Sequence, residues 1–437
     1  MTTSLNQTNT ERISTIDILR GIALLGILFM NIPIYSLPRI YPDNIVRLEG
    51  THTLNYYLWL VDYVLLHGKM RMLFSMLFGA GIILFTEKKE EDNLKLADAY
   101  FRRMLWLLVF TLFTSYILLA STEILYEYAL CGILLFVFRN ARVRWLIIIA
   151  VLSLSIISIK GGMGFVNGQE QLETVKAAKL ELAQGKKITE EQQKAIDAMQ
   201  NAINPDKKLL EAKYQEDITL GRSDYETIFV ENKTIRDEIY STGFYSDFWE
   251  SFGSIALGMA LFKLGLFSGK LKRRTYLWIT LIGLGVGLPF AYYLAHVLTK
   301  GQLQTTTDYF DSRWFSVFHM EQIPRVLCAL GYTGLVILIY QMGWLKRTMY
   351  VFACLGKTAF TNYLLTNIFC SVLFFGWGFG LYGNFQYYQL HVIVCVMCVI
   401  QIVFSIGWLH FFKMGPFEWL WRRLTYGKGF LLSQIKK

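Results

Sequence analysis

Charge is what this chain lacks most. Asp, Glu, Lys and Arg make up 17% of its 437 residues, against 54% hydrophobic and 16% aromatic, and its mean hydropathy is positive. A water-soluble domain of this size needs more polar surface than that, so the lipid bilayer is the chain's solvent. All six cysteines (Cys131, Cys328, Cys354, Cys370, Cys395, Cys398) fall in or at the ends of apolar stretches and none in the one long polar segment, which excludes a disulfide framework. Cys395 and Cys398 form a C-x-x-C inside an unbroken apolar helix without a nearby His or carboxylate, so packing explains them. No metal-ligand spacing, Ser-centred nucleophile elbow or Gly-rich phosphate loop occurs. The net charge of +10 does not point to nucleic acid, because the basic residues cluster beside apolar runs rather than along one soluble face.

What is present is a series of ten apolar runs: 18–35, 70–85, 104–120, 124–138, 145–159, 248–267, 276–298, 323–344, 349–375 and 388–412. Several are short. A helix of about 16 residues covers only about 24 Å and needs flanking residues or local thinning to cross. Lys88, Lys89, Arg102 and Arg103, then Arg139, Arg142 and Arg144, then Lys270 to Arg274, then Lys346 and Arg347 occupy alternate loops. The positive-inside rule therefore places both termini in the cytoplasm. Arg12 and Arg20 ahead of an apolar run resemble a signal peptide, but Pro33 to Leu37 offers no small-residue cleavage site, so this is read as a retained first span. The apolar run at 56–66 is too short to cross and carries Asp62. Crossing there would also reverse every later loop, so it is expected to be an outer re-entrant or interfacial helix.

The expected fold is all-α: a polytopic bundle of about ten transmembrane helices with an extracytoplasmic helical insert. Its divisions are an N-terminal bundle over 1–160, the insert over 161–247, a C-terminal bundle over 248–412 and a cytoplasmic amphipathic tail over 413–437. In the insert, Thr189 to Gln192 and Ser223 to Glu226 have capping-box patterns and Pro205 separates two helical runs. It lacks an apolar face broad enough for its own core, which suits a lid or docking surface.

Arg20 sits inside the first apolar register with Asp17 one turn earlier on the same face. It reads either as a snorkelling anchor or as a cytoplasmic anion site, since a guanidinium matches phosphate geometry. Asn31, near the outer end of that span, reads first as an interhelical amide. Glu123 and Glu127, one turn apart, could carry protons, and the deeper Glu127 is the harder to explain as a solvated tip. His67, Lys69 and Arg71 form one outer cluster; His319, Glu321 and Arg325 form another, and either also reads as a solvated rim. Lys357 marks an inner boundary, and Thr358, Thr361 and Asn362 put polar atoms along one face, where helix glue is the default. His391, like His296 and His410, lies near a span end, where the membrane interface accounts for it.

Several of these segments are similar to the YeiB-type family of bacterial inner-membrane proteins of unknown function. The likeness is carried by Arg12 to Asn31 (RISTIDILRGIALLGILFMN), Gly68 to Gly81 (GKMRMLFSMLFGAG), Glu123 to Leu130, Leu257 to Gly269 (LGMALFKLGLFSG), Gly356 to Asn367 and Gly415 to Gly427 (GPFEWLWRRLTYG). That family in turn resembles transmembrane acyltransferases, including the heparan glucosaminide acetyltransferases, whose opening span has a similar Asp-x-x-Arg-Gly run and an Asn at the position of Asn31. A more remote group has a catalytic His there, and the relatives' His motif after the span has no counterpart here. Glu123 stands where the YeiB pattern usually has Asp.

The resemblance implies transfer of an acyl group, acetyl first, from a cytoplasmic coenzyme A thioester, which would be a co-substrate rather than a tightly bound cofactor. The acceptor would be an extracytoplasmic sugar or other small molecule. Arg20 and Lys357 would hold the donor's phosphates, Asn31 and Asn362 would line the path, and His67 or Glu123 would take the acceptor's proton. Lys69, Arg71, Glu127, His319, Glu321 and Arg325 would contact the acceptor. The competing readings are a small-molecule permease of the inner membrane, against which the lack of inverted repeats and the few Pro-broken spans weigh, and an envelope scaffold without turnover. The expected partners are the bilayer and a small-molecule or glycan acceptor, not nucleic acid, with a homo-oligomer left open.

Overall fold

The computed structural model describes residues 3–87, 93–120, 124–203, 207–238, 244–303 and 320–427, and among them every regular element is a helix. Among the described residues, six segments are long and apolar enough to cross a membrane: Ser14–Ser36, Leu54–Thr86, Val143–Ala183, Arg273–Gln302, Gln322–Met342 and Tyr387–Phe411. The chain is a membrane protein. Large apolar side chains such as Val151, Leu152, Leu281, Val392 and Val403 are left on their outer faces, where lipid rather than water is the favourable neighbour.

The first helix, α1 (Thr3–Ser36), runs through Pro33 without ending. It is followed by α2 (Tyr41–Glu49), α3 (Leu54–Leu65) and α4 (Lys69–Thr86). Gly68, at φ 70°, takes the left-handed conformation that separates α3 from α4. The 56–66 run is thus a short helix of its own. Its Asp62, which made it awkward as a span, is buried and accepts a hydrogen bond from Tyr387 Oη at 2.7 Å. His391 lies 3.0 Å from the same carboxylate, so a specific ion partner, not interface placement, explains it.

Next come α5 (Asn93–Leu112), continued by a π turn over Phe113–Ile117, then α6 (Ile124–Leu135) and α7 (Val143–Ala183). At 41 residues, α7 is about 60 Å long, roughly twice the hydrocarbon thickness. The expected boundary at 160 falls inside it: the fifth apolar run and the start of the insert are one continuous rod.

The rest of the insert is α8 (Glu190–Ile203), α9 (Lys207–Gly221) and α10 (Tyr225–Glu238). Thr189 and Gln192 form the expected reciprocal cap, with Thr189 N donating to Gln192 Oε1 at 2.9 Å and Gln192 N to Thr189 Oγ1 at 3.2 Å. The second cap is shifted by one residue: Asp224, not Ser223, accepts from Thr227 N at 3.0 Å. Pro205 lies outside the described residues. Helices α9 and α10 are docked on the bundle. Gly376 N donates to Gly221 O at 2.9 Å, Arg222 Nε to Tyr382 O at 2.7 Å and Asn232 Nδ2 to Leu119 O at 3.1 Å.

The C-terminal half contains α11 (Phe244–Lys263), α12 (Arg273–Leu303), α13 (Gln322–Met342), α14 (Lys346–Lys357), α15 (Ala359–Phe374), α16 (Tyr387–Phe411) and α17 (Pro416–Tyr426). The expected ninth span, 349–375, is therefore two helices parted at Thr358, whose φ of −114° and ψ of 21° leave the helical region. Its start, α14, packs along α1 at backbone contact: a Cβ on Gly21 would run into Phe352 O, and one on Gly356 into Asp17 O. Helices α4 and α11 close in the same way through Gly79 and Gly258. These two tight pairs hold α1 and α4 as one wall of a cavity, with α5 and α6 opposite.

Candidate functional site

That cavity encloses about 760 Å³. Of the expected site residues, it brings together Arg20, Asn31, His67, Arg71, Glu127, Arg325 and Lys357, which all line it. Arg20 therefore faces an internal space and not lipid.

At the end nearest the basic loops, α1 supplies Asp17 and Arg20, whose carboxylate and guanidinium lie 3.8 Å apart. Arg20 Nη2 also reaches Leu77 O on α4 at 3.5 Å. Lys357 comes from the end of α14, Arg103 from α5, and Lys413 and Arg422 from the segment around α17. Helix α17 is fixed from two sides. Glu418 accepts from Phe360 N at 2.7 Å and Thr361 N at 3.1 Å, capping the start of α15, and also bonds Thr361 Oγ1. Burial pushes the Glu418 carboxyl above its ordinary range while these donors pull the other way. Trp421 Nε1 donates to Arg103 O at 2.9 Å, and the Arg103 guanidinium lies over the Trp421 ring at 4.2 Å.

The middle of the cavity is apolar, walled by Leu24, Ile27, Phe74, Phe78, Met104 and Leu107. Arg20 and Asn31 are eleven residues apart on α1, which sets about 16 Å between the two ends.

At the far end Glu127 Oε2 accepts from Ser251 Oγ at 2.6 Å. Beside it, Arg71 is held by Glu250, Nη2 to Oε2 at 2.7 Å, and lies 3.7 Å from Asp247. The same Glu250 oxygen accepts from Arg325 Nη1 at 2.9 Å and Gln322 Nε2 at 3.3 Å, and Arg325 also pairs with Glu321. His67 stacks on Tyr63, ring centroids 5.2 Å apart.

Other expected residues are placed differently. Lys69 is buried and donates to Tyr63 O at 2.7 Å and His67 O at 3.3 Å, closing the end of α3 outside the cavity lining. Glu321 acts on Arg325 and accepts from Tyr63 Oη at 3.1 Å. Asn362 does not line the cavity; its amide donates to Thr358 Oγ1 at 3.1 Å and Ser405 Oγ at 2.9 Å, joining α15 to α16 as helix glue. Glu123 and His319 lie outside the described residues.

Sequence reasoning missed Glu250, Asp247, Arg103, Glu418 and Arg422 as site residues. Asp247 and Glu250 are one turn apart at the start of an apolar run, the spacing that singled out Asp17 and Arg20. Arg103 counts in the sequence only as a basic loop residue, and Arg422 only as part of the amphipathic tail, patterns that register the side of the membrane and not the direction of a side chain.

Residues 261–428 match the family model described as Protein of unknown function (DUF418). The chain is similar over nearly its whole length to three proteins. It is 28% identical over 430 residues to the uncharacterized protein YxaH of Bacillus subtilis (strain 168), covering 95% of this chain and 94% of that one. It is 27% identical over 424 residues to the uncharacterized protein YeiB of Escherichia coli (strain K12), covering 95% and 96%. It is 24% identical over 422 residues to an uncharacterized 39.9 kDa protein in the amylase 3′ region of Bacillus acidopullulyticus, covering 96% and 95%. No solved structure matches.

Proposed function

We propose, on the premise that this chain is a YeiB-like protein of the DUF418 family, that it transfers an acyl group across the inner membrane. The donor is a cytoplasmic coenzyme A thioester, and the acceptor is a hydroxyl- or amine-bearing molecule outside. The observation that carries this reading is the single cavity that has Arg20 and Lys357 at one end and Glu127, Arg71 and His67 at the other. Cytoplasmic termini, drawn from the distribution of basic loops, put the cationic end on the donor's side.

In this reading the donor's phosphates rest among the cations and its flexible arm lies along the apolar wall. The thioester carbon then reaches the level of Asn31, Arg71 and Glu127. The acceptor oxygen or nitrogen attacks that carbon, its proton passes to Glu127, the carbon–sulfur bond breaks and Glu127 returns that proton to the leaving thiolate, which departs as the thiol. The Asn31 amide, which has no other hydrogen-bond partner among the described residues, is positioned to donate to the developing oxyanion. Glu127 takes the role first given to His67 or Glu123 because its carboxylate is oriented by Ser251 and faces the cavity. His67, stacked on Tyr63 with the Lys69 ammonium over the same ring, is a poorer place to gather positive charge.

The test is release of free thiol from acetyl coenzyme A by purified protein, with and without envelope sugars. The expected result is acceptor-dependent release that Arg20→Ala abolishes. Binding and transmembrane movement of a solute without release would favour the permease reading instead.

A further inference from the structure

The cationic end of the cavity is larger than the proposed donor's diphosphate requires. Five cations, Arg20, Arg103, Lys357, Lys413 and Arg422, line it against two carboxylates, Asp17 and Glu418. Both carboxylates are engaged, Asp17 with Arg20 and Glu418 with the start of α15. Among the described residues, Lys357, Lys413 and Arg422 have no carboxylate within ion-pair distance. An excess of three positive charges thus faces one space. A diphosphate diester brings about two negative charges, and a phosphate monoester brings about two more.

These cations also lie at different depths. Arg20 belongs to the α1 and α4 wall, where Leu77 O and Asp17 anchor it. Lys413, just before α17, and Arg422, on α17, are solvent-exposed, as is Lys357, and mark the mouth, whereas Arg20 and Arg103 are half-buried. The position of Lys413 and Arg422 is set and not free, because the neighbouring Trp421 is tied to Arg103 and Glu418 to α15. A molecule entering with its thioester foremost leaves its nucleotide end at this mouth.

We infer that Lys413 and Arg422 form a separate phosphomonoester subsite, so that the protein selects a donor whose nucleotide end carries a 3′-phosphate. This rests on the coenzyme A reading above and deepens it: the mouth discriminates between thioester donors by the phosphate farthest from the reacting carbon, leaving the half-buried Arg20 and Arg103 to the diphosphate. Charge-assisted contacts from a lysine and a guanidinium to a monoester dianion are strong enough for such a choice.

The test uses the full chain in nanodiscs, titrated with coenzyme A and with dephospho-coenzyme A. The wild type is expected to bind coenzyme A at least tenfold more tightly. Lys413→Gln with Arg422→Gln is expected to erase that preference, weakening coenzyme A binding at least tenfold more than dephospho-coenzyme A binding. Arg423→Gln, on the same helix but over the Trp419 ring and outside the cavity lining, should change neither, and elution volume and helicity check that each variant is folded. Equal binding of the two ligands by the wild type, a preference that survives the double variant, or no binding of either ligand overturns the subsite. The two readings separate in the same preparation. Preferential binding without thiol release leaves the subsite standing and removes acyl transfer, whereas release with no 3′-phosphate preference does the reverse.

Discussion

Arg71 on α4 and Glu250 on α11 meet at 2.7 Å, and the carboxylate oxygen between them also takes Arg325 from α13. One buried acid therefore ties three helices together at the cavity's far end. Removing one member of such a group leaves uncompensated charge in a poorly solvated place. The expectation for Glu250→Gln is a loss of about 3 kcal/mol, read as a lower midpoint of thermal unfolding. Glu250→Gln with Arg325→Gln should lose less than the two single changes added together, by about 1 kcal/mol or more. Strict additivity would show that the three side chains do not act as a unit.

The backbone contact between α1 and α14 makes a second prediction with a built-in control. A Cβ at Gly356 meets the Asp17 carbonyl, which is backbone and cannot swing aside. Gly356→Ala should cost about 1 to 3 kcal/mol through overpacking and weaken donor binding, because Asp17 and Arg20 move with the carbonyl. At Gly285 on α12 nothing lies near an added Cβ, so Gly285→Ala should be neutral or stabilise by up to about 1 kcal/mol from helix propensity alone. Unfolding midpoints measured side by side decide this, and equal effects would sink the packing argument.

Much of this architecture is legible in the sequence, and the reasons are physical. Apolar runs separated by basic loops are long-range signals set by the bilayer, which is why α1, α4, α7, α12, α13 and α16 lie where hydropathy puts them. Asp17 with Arg20, and Glu127, stand out because ionisable groups are costly in such runs. What escapes is set by neighbours distant in sequence. The break at Thr358 has no proline to announce it, and a Gly-Lys-Thr run inside an apolar segment reads equally as continuous helix. Glu250 becomes significant only once α4 and α13 bring Arg71 and Arg325 to it. Asn362, chosen for its amide, proves to face Ser405 and not the cavity, a choice of helix face that a single sequence leaves open.

Orientation is open to direct measurement. Lys186, exposed between α7 and α8, and Arg274, exposed at the start of α12, belong to opposite sides if the basic loops face the cytoplasm. Lys186→Cys should react with a membrane-impermeant maleimide in cells whose outer membrane alone is opened, and Arg274→Cys only after the inner membrane is permeabilised. Four of the native cysteines are buried and the other two, Cys395 and Cys398, lie within the α16 span, so the background is low. Labelling of Arg274→Cys first would invert the topology and place the donor site outside the cell.

The division of labour at the far end gives the sharpest kinetic expectation. Glu127 and His67 both line the cavity, yet only Glu127 has its carboxylate fixed by a hydroxyl, with Arg71 drawn away from it by Glu250. A general base contributes about 10² to 10⁴ in rate. Glu127→Gln keeps the shape and the Ser251 contact but cannot take a proton, so kcat should fall by at least about 10² while affinity for coenzyme A, whose phosphates are held some 16 Å away, stays unchanged. His67→Gln should alter acceptor KM more than kcat. Arg20→Ala should show the opposite pattern to Glu127→Gln, losing donor affinity first. Should His67→Gln instead abolish turnover and Glu127→Gln leave kcat within about threefold, a margin well below a general base's contribution, the imidazole is the proton acceptor, and the carboxylate serves only to hold the acceptor beside it.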